Sequence, residues 1–321
     1  MTSIFRSEAA RQGLVDWHDR VRGSLPTPTV SRRVATRFGE THVLVGGGPA
    51  GSEAPPTAPP TGAASDERPP LVLLHGALAN SALLLRELAP LMESFLVHAV
   101  DIVGQSALSA DRRISVKNDD YGRWMVEVLD ALGLPRVGVV GVSWGGFVAL
   151  RLAAHAPERI ERMALVAPAG VVRSPISSFF RMGWPLTRYL ASPNAARLDA
   201  LLAQLLTTPD EDWTAYLGEA FLAFDLSMTV PRRAHPAEFR GFDAPTFVVG
   251  CERDVSFPGV PLLARAGELL PNLVRSELLE GANHSPPTTD EFRRWMSGEL
   301  TAFFASLPST PSRSLPCCTS P

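Results

Sequence analysis

The sequence predicts an α/β fold: a mostly parallel central sheet flanked by helices, with a helical lid inserted after the sixth strand. Two observations carry this prediction. Short, continuous apolar runs are each followed by a segment of helical character, which is the pattern of parallel strands covered on both faces. This alternation then stops after Pro168, where the insertion begins. The apolar runs are residues 71–74, 96–101, 137–141, 163–166, 246–250 and 274–278.

A helix and a hairpin are predicted before the first parallel strand. Residues 1–32 form a helical extension, because apolar residues between positions 14 and 21 lie three and four apart, on one helical face. Partial alternation of apolar and polar residues over 33–45 predicts a hairpin that turns at Phe38-Gly39-Glu40. We expect this hairpin at the edge of the sheet.

The remaining segments divide into a core, an insertion and two stretches of low complexity. The predicted core spans residues 33–170 and 241–306. Residues 171–240 place aromatic residues and leucines among six prolines without a strand pattern, so we expect a helical lid over a binding site. Residues 46–70 and 307–321 are rich in small residues and proline, which predicts a flexible loop and a disordered tail.

The composition is that of a globular protein without an electrostatic surface for nucleic acid. Of the 321 residues, 45% are hydrophobic and 20% are charged, which is enough apolar surface for one full-sized core. The formal net charge is −3, and basic residues do not cluster in runs longer than a pair. A nucleic-acid partner is therefore not expected. We expect a monomer or a homodimer.

The cysteines and the N-terminus favour a cytoplasmic protein. The three cysteines are Cys251 and the adjacent pair Cys317-Cys318, which cannot make a disulfide framework. The first eleven residues lack the uninterrupted apolar stretch of a secretory signal. The longest uncharged apolar run, residues 137–150, is too short and glycine-rich to span a bilayer, so no membrane association is expected.

The strongest signal for chemistry is the run Gly141-Val142-Ser143-Trp144-Gly145-Gly146, which lies between a predicted strand and a predicted helix. A serine on such a tight turn exposes its hydroxyl, and the flanking glycines are required where side chains would strike the neighbouring strand and helix. The turn also places the serine at a helix N-terminus, where developing negative charge is favoured. We predict that Ser143 is a nucleophile; the alternative is a serine that merely caps a helix.

A serine hydroxyl needs a base to remove its proton, so one of the seven histidines should serve it. His284 lies in a glycine- and proline-rich loop directly after the last predicted strand. Parallel sheets display functional groups at this end of their strands. We predict His284 as the general base, and the other histidines are interpreted as structural or surface residues.

The acid that orients the histidine should follow an earlier strand. Residues 246–250 lead into a loop that carries both Glu252 and Asp254. Asp254 is preferred because it lies further beyond the strand end, with room to turn towards the site, and Glu252 is the alternative. The resulting chain order, Ser143, Asp254 and His284, is the order expected for a triad on this architecture.

An oxyanion hole needs two preorganised backbone amides. Trp144 supplies one amide, because it directly follows the nucleophile. The second is expected from the loop after residues 71–74, where Gly76 lets the chain turn and Ala77 is the predicted donor. His75 is interpreted as a brace for this loop.

The substrate pocket is predicted between core and lid, because such pockets are mostly apolar with few polar groups. Aromatic residues at helical spacing also occur as ordinary core, so this prediction competes with a purely structural interpretation. The predicted substrate-binding residues, besides Trp144, are Gly76, Leu78, Met182, Trp184, Phe221, Phe224 and Phe257.

Taken together, these motifs resemble the α/β-hydrolase superfamily over roughly residues 33–305. The resemblance rests on His75-Gly76, the run Asp101-Ile102-Val103-Gly104, the turn at 141–145, Asp254 and His284. Within the superfamily, residues 41–45, 100–104 and 120–124 are similar to bacterial carboxylesterase-like serine hydrolases of the single-domain, lidded kind. One departure is the loop from Gly104 to Ser109, which lacks the second glycine of the family's pattern.

The resemblance implies hydrolysis of a small-molecule ester through an acyl-serine intermediate, without a cofactor or a metal. Other chemistries on the same triad stay open: acyl transfer, carbon–carbon bond hydrolysis, and peptide hydrolysis, since proline iminopeptidases share the Ser143-Trp144-Gly145 pattern. A protein that binds a small ligand on this scaffold without catalysis is a further alternative.

Overall fold

A single eight-stranded sheet organises the protein, for which the computed structural model describes residues 3–47, 68–226 and 230–305. The strands in these residues are β1 (Thr29–Thr36), β2 (Gly39–Gly46), β3 (Pro70–Leu74), β4 (Leu96–Val100), β5 (Val137–Val142), β6 (Ile160–Val166), β7 (Thr246–Cys251) and β8 (Leu273–Leu279). Their order across the sheet is β1-β2-β4-β3-β5-β6-β7-β8. Strands β3 to β8 are parallel, whereas β2 is antiparallel to both β1 and β4. The predicted α/β fold with a mostly parallel sheet is confirmed.

Helices cover both faces of this sheet. In the described residues they are α1 (Glu8–Gly23), α2 (Ser81–Glu87), α3 (Asp120–Leu132), α4 (Trp144–His155), α5 (Ile176–Ala191), α6 (Ala195–Leu202), α7 (Glu211–Ala223), α8 (Gly259–Leu269) and α9 (Asp290–Phe304). Successive side chains of a strand point to opposite faces. Leu71 and Leu73 of β3 therefore join the apolar cluster under α1, α2 and α9, while Val72 and Leu74 join the cluster under α3, α4 and α8.

The N-terminal hairpin differs from its prediction in two details. Its first strand begins at Thr29, inside the predicted helical extension 1–32, and pairs along its length with β2. Thr36 lies opposite Gly39, so the turn is Arg37-Phe38 and precedes the predicted one by a residue. The Thr36 hydroxyl explains this position, because it donates to the Gly39 carbonyl at 2.7 Å and accepts from the Phe38 amide at 3.2 Å.

Three helices, α5, α6 and α7, lie between β6 and β7, where the sequence predicts the insertion. They share an apolar cluster, called here the insertion cluster, whose buried members are Tyr189, Leu201, Leu202, Leu206 and Phe221. The start of α7 is tied to α2 of the core: Arg86 pairs with Asp212 at 2.6 Å, and the Trp213 indole donates to Glu87 at 2.9 Å. The insertion thus has an apolar cluster of its own, while α7 also packs into the core cluster under α1 and α2 and is joined to α2 by an ion pair and a hydrogen bond.

Two predicted segments fall mainly outside the part of the chain that the structure describes. Of the predicted loop 46–70, residues 48–67 are not described, and the same holds for the predicted tail 307–321 with its Cys317-Cys318 pair. Among the described helices, none is both long and apolar enough to cross a bilayer.

Candidate active site

Ser143 lies between β5 and α4 on a strained turn. Its backbone has φ 50° and ψ −109°, a left-handed conformation that residues other than glycine seldom adopt. The neighbouring glycines make this turn possible. A Cβ on Gly141 would lie 2.6 Å from the Gly145 carbonyl oxygen, and one on Gly145 would overlap the carbonyl of Leu74 in β3. The turn therefore requires glycine on both sides of the serine, as the sequence pattern predicts.

The three predicted triad residues form one continuous hydrogen-bonded chain. Ser143 Oγ lies 2.8 Å from His284 Nε2, and His284 Nδ1 lies 2.7 Å from Asp254 Oδ2. Since the carboxylate can only accept, Nδ1 donates to it, which leaves Nε2 free to accept the serine proton. The alternative acid, Glu252, instead accepts from the Gly281 amide at 2.7 Å. The structure therefore brings Asp254, and not Glu252, to the histidine.

The surroundings of Asp254 keep it ionised. The residue is 2% exposed, and its second oxygen, Oδ1, accepts from the amides of Ser256 at 2.7 Å and Phe257 at 2.9 Å. Burial raises the pKa of this carboxyl, but His284 and the two amides together lower it by a larger amount. The net pKa therefore lies below its ordinary value. Two backbone donors and one imidazole thus hold both carboxylate oxygens in place.

The pairing with Asp254 shifts the pKa of His284 in the opposite direction. Burial lowers the pKa of His284, but the charge and the hydrogen bond of Asp254 raise it by more, so the net pKa lies above its ordinary value. The Phe257 ring packs against the imidazole at 5.6 Å between centroids. The arrangement stabilises an imidazolium, which is the state a general base reaches when it takes a proton.

The predicted oxyanion loop lies against the serine. A Cβ on Gly76 would be 3.6 Å from Ser143 Cβ, so the backbone of this loop reaches the nucleophile closely. His75 braces the loop as predicted. Its Nδ1 donates to the Gly76 carbonyl at 2.7 Å, and its Nε2 accepts from the Ile102 amide at 2.9 Å. Burial lowers the pKa of His75, which favours the neutral ring that this pair of bonds requires.

The end of the oxyanion loop contacts the insertion, which the sequence did not indicate. Leu78 has φ 60°, a second left-handed residue close to the nucleophile. Its amide faces Gln105 Oε1 at 3.4 Å, and its carbonyl accepts from the Tyr216 hydroxyl of α7 at 2.6 Å. Tyr216 is 1% exposed. The insertion is therefore linked by a buried hydrogen bond to the loop that is predicted to hold the oxyanion.

A cavity of about 420 Å³ opens beside this loop. Among the predicted site residues, Ala77, Leu78, Trp144 and Phe224 line it. It is also lined by residues that the sequence analysis did not single out: Ile4, Gly104, Gln105, Arg113, Ile114, Ser115, Val116, Lys117, Tyr121, Asp225 and Leu226. The cavity is mostly apolar, and its wall includes both predicted oxyanion residues.

Five predicted substrate-binding residues lie outside this lining. One of them is Gly76, whose backbone approaches Ser143 but does not form part of the cavity wall. Trp184 on α5 is 66% exposed. Phe221 is buried in the insertion cluster, and Met182 is packed against that cluster. Phe257 packs on the triad histidine and on the core under α8. The sequence shows that these residues are apolar, but it does not show which of their side chains turn towards the cavity.

A cluster of buried polar side chains is centred on Asp101. Asp101, at the end of β4, is fully buried; its Oδ2 contacts His42 Nδ1 at 2.7 Å, and its Oδ1 accepts from the Ser81 amide at 3.0 Å and the Ser106 hydroxyl at 2.7 Å. Ser106 thus gives the unusual 104–109 loop a structural anchor. Asp101, His42 and His18 each have an atom that could hold a metal ion, and these atoms lie within 4.8 Å of one another. This is the one group of three such residues found among the described residues. His42 already bonds Asp101 and Ser31, so hydrogen bonds account for the cluster.

Comparison with known proteins assigns the chain to a family. A family profile described as alpha/beta hydrolase fold matches residues 69–257, more than half of the chain. The chain belongs to this α/β-hydrolase family. The match includes the nucleophile turn and Asp254, while His284 lies beyond it.

Relatives of this chain include bacterial carboxylesterases. Carboxylesterase YbfK of Bacillus subtilis (strain 168) is 24% identical over 278 residues, which cover 83% of this chain and 86% of the relative. The uncharacterized carboxylesterase nap of the same strain is 32% identical over 144 residues, and the match covers 45% of this chain and 42% of that protein. The chain is thus aligned with less than half the length of the second relative. The predicted resemblance to bacterial carboxylesterase-like proteins is confirmed.

Solved structures agree on the fold. The crystal structure of naproxen esterase (carboxylesterase NP) from Bacillus subtilis superposes on this protein with a TM-score of 0.74 at 23% identity, over 91% of this chain and 96% of the other. Carboxylesterase CesB (YbfK) from Bacillus subtilis also gives a TM-score of 0.74, at 21% identity over 92% and 98% of the two chains. At these identities the likeness concerns the fold.

Proposed function

We propose that this protein is a serine hydrolase that cleaves carboxylic esters of small or medium apolar substrates through an acyl-serine intermediate. The observation that carries the proposal is the hydrogen-bonded chain from Ser143 through His284 to Asp254, set beside a mostly apolar cavity. The names of its relatives, two of them carboxylesterases, support the choice of ester chemistry.

In the first half of the reaction, His284 Nε2 takes the Ser143 proton as Oγ attacks the ester carbonyl carbon. The backbone amides of Ala77 and Trp144 stabilise the resulting oxyanion. The tetrahedral intermediate collapses, the carbon–oxygen bond to the alcohol breaks, and the imidazolium gives its proton to the departing alkoxide. The products of this half are the free alcohol and the acyl ester of Ser143.

In the second half, a water molecule gives a proton to His284 Nε2 and attacks the acyl carbon. The second tetrahedral intermediate releases Ser143 Oγ, which regains the proton from the imidazolium, and the carboxylic acid leaves. Asp254 stabilises the imidazolium in both halves and keeps the proton of the neutral ring on Nδ1. The raised pKa of His284 supports this role, because it favours the cationic state that occurs after each proton transfer.

The cavity is proposed to hold the apolar part of the ester. Leu78, Trp144 and Phe224 contribute apolar wall; Trp144 directly follows Ser143 in the chain, and Phe224 belongs to the segment that follows α7. We propose accordingly that the insertion 171–240 acts as the lid of the site. We further propose a cytoplasmic protein, which the small number of cysteines supports, and a monomer or homodimer.

The test is a pair of matched serine-to-alanine variants assayed on p-nitrophenyl butyrate. Ser143→Ala should lower kcat by at least about 10⁴-fold, because triad nucleophiles act together with their base and cannot be replaced by it. Ser297→Ala is the control: this serine is 1% exposed in α9, and its hydroxyl has no hydrogen-bond partner among the described residues, so its loss should leave kcat unchanged.

A fluorophosphonate probe and a wider substrate panel complete the test. The probe should label wild type and Ser297→Ala on Ser143 and should not label Ser143→Ala. Full activity in Ser143→Ala would overturn the assignment of the nucleophile. Turnover of a prolyl anilide or of a carbon–carbon substrate in place of esters, or acyl transfer to an added alcohol in place of hydrolysis, would replace esterase action by another reaction of the same triad.

A further inference from the structure

The first described residues of the chain lie between the core and the insertion. The Ile4 amide donates to Asp111 Oδ1 at 2.7 Å, in the loop region after β4. On the other side, the Asp225 amide donates to the Ile4 carbonyl at 2.8 Å, and the Arg6 amide donates to the Ala223 carbonyl at 2.8 Å. Backbone hydrogen bonds of this kind fix the segment against both partners, in the manner of a short added strand.

Side chains strengthen this contact. Phe5 forms a β-bridge with Phe224, and their rings lie 4.8 Å apart between centroids. Arg11 donates from Nε to the Ala107 carbonyl at 3.1 Å, and its guanidinium lies 5.7 Å from the centre of the Phe5 ring. The segment is therefore held in one position relative to the end of α7.

Helix α1 continues the contact to the residue that holds the oxyanion loop. Trp17 of α1 packs edge-on against Tyr216 of α7, with 6.2 Å between ring centroids. Tyr216 donates to the Leu78 carbonyl. The N-terminal helix thus packs against the side of α7 that reaches the catalytic centre.

The consequence for the site comes from Ile4. Its side chain is 1% exposed, and it forms part of the cavity wall together with Leu78, Trp144 and Phe224. These three belong to the oxyanion loop, the nucleophile turn and the end of α7. Among the described residues, Ile4 is the one part of the wall that comes from the N-terminal segment. Loss of its branched side chain would therefore enlarge the cavity on this side.

We propose that Ile4 is a specificity-determining residue that limits the length of the apolar group accepted by the cavity. The inference rests on the proposed ester hydrolysis and deepens it, since it names the residue that sets the upper size of the substrate. The N-terminal segment is then part of the substrate site as well as an attachment for α7.

The test changes the size of Ile4 in both directions. Ile4→Ala removes three carbon atoms from the wall, and Ile4→Phe adds three. For each variant, kcat/KM is measured on p-nitrophenyl butyrate and octanoate, and on butyl and octyl acetate. The ratio within each pair is independent of the fraction of folded enzyme, because both substrates use the same preparation.

Ile4→Ala should raise the ratio of kcat/KM for the eight-carbon substrate to kcat/KM for the four-carbon substrate in at least one pair. The expected rise is about fourfold for each methylene group that gains burial in the enlarged cavity. Ile4→Phe should lower the same ratio. Leu14→Ala is the control, because Leu14 is also 1% exposed, lies on α1 in the same apolar cluster and does not line the cavity. Ratios within twofold of wild type in both Ile4 variants, or an equal change in Leu14→Ala, would overturn the proposal.

A binding measurement separates this inference from the proposed function. Calorimetric Kd values for octanoate and butyrate, on wild type and Ile4→Ala, measure how well the cavity binds each chain length, and they require no turnover. A protein that hydrolyses no ester but shows the expected rise in relative octanoate affinity in Ile4→Ala would refute esterase action and support the role of Ile4. An unchanged Kd ratio would overturn the role of Ile4 unless the butyl and octyl acetate pair shows the expected change.

Discussion

Replacement of Asp254 by asparagine tests the triad through the direction of its hydrogen bonds. Oδ1 of Asp254 accepts from the amides of Ser256 and Phe257, so an asparagine must place its carbonyl oxygen there. Its NH₂ group then faces His284 Nδ1. Since an amide nitrogen only donates, Nδ1 must become the acceptor, and the proton of the neutral ring moves to Nε2. Nε2 then faces Ser143 with a proton and cannot act as the base.

The size of the expected loss follows from this change of tautomer. The equivalent substitution in Ser-His-Asp enzymes lowers kcat by about 10⁴-fold. A factor of 10⁴ corresponds to about 5.4 kcal/mol in activation free energy, at about 1.36 kcal/mol for each tenfold change. The fold should survive, because the asparagine keeps its shape and the two backbone hydrogen bonds that it accepts.

The assay is kcat on p-nitrophenyl butyrate at pH 8, together with Tm as a check on folding. Glu252→Gln serves as the control, because Glu252 is the other acid of the same loop and bonds the Gly281 amide rather than the imidazole. The control should stay within a few-fold of wild type. The reasoning is refuted if Asp254→Asn stays within tenfold of wild type with an unchanged Tm, or if Glu252→Gln loses more activity than Asp254→Asn.

Two further predictions concern the oxyanion loop and the base. Tyr216→Phe removes the hydrogen bond to the Leu78 carbonyl and should lower kcat several-fold with little change in KM; Tyr189→Phe removes a similar bond inside the insertion, from the hydroxyl to a carbonyl at 3.1 Å, and should leave kcat unchanged. Equal loss in both variants would show a purely structural role for Tyr216. Because His284 must be neutral to accept a proton and its pKa is raised, kcat/KM should fall towards acid through a midpoint above about 6.5. A pH profile with its midpoint at or below that value would contradict the charge coupling to the acid of the triad.

The meeting of Ser143, His284 and Asp254 could be predicted because each of the three sits at a position that local chemistry constrains. Gly141 and Gly145 record the close approach of β3 and α4 to the turn at Ser143, so the backbone geometry leaves a trace in the sequence. His284 and Asp254 follow strands whose apolar runs are continuous, and the ends of parallel strands converge. A preference for Asp254 over Glu252 needed only the distance from the strand end.

The cavity wall could not be predicted in the same way, because its members meet only through the tertiary fold. Ile4, which lines the cavity, comes from the N-terminal segment, and Tyr216, which bonds the Leu78 carbonyl, comes from a helix of the insertion. Nothing local in either segment marks the side chain that reaches the site. Trp184 illustrates the opposite error of such patterns: an aromatic residue on a helix of the insertion was expected in the pocket, and its side chain is 66% exposed. Helical spacing shows which apolar residues share one face of a helix, but not which part of the protein that face contacts.

The hydrogen bond from Tyr216 to Leu78 also bears on how substrate range could be redesigned. An insertion placed between two adjacent strands is an obvious unit to exchange with that of another hydrolase. Here, however, the exchanged unit would have to bring a hydroxyl to the carbonyl of residue 78 and a surface that fits Phe5 and Trp17. Chimeras that carry the insertion together with its own N-terminal segment should therefore retain turnover more often than chimeras that carry the insertion alone.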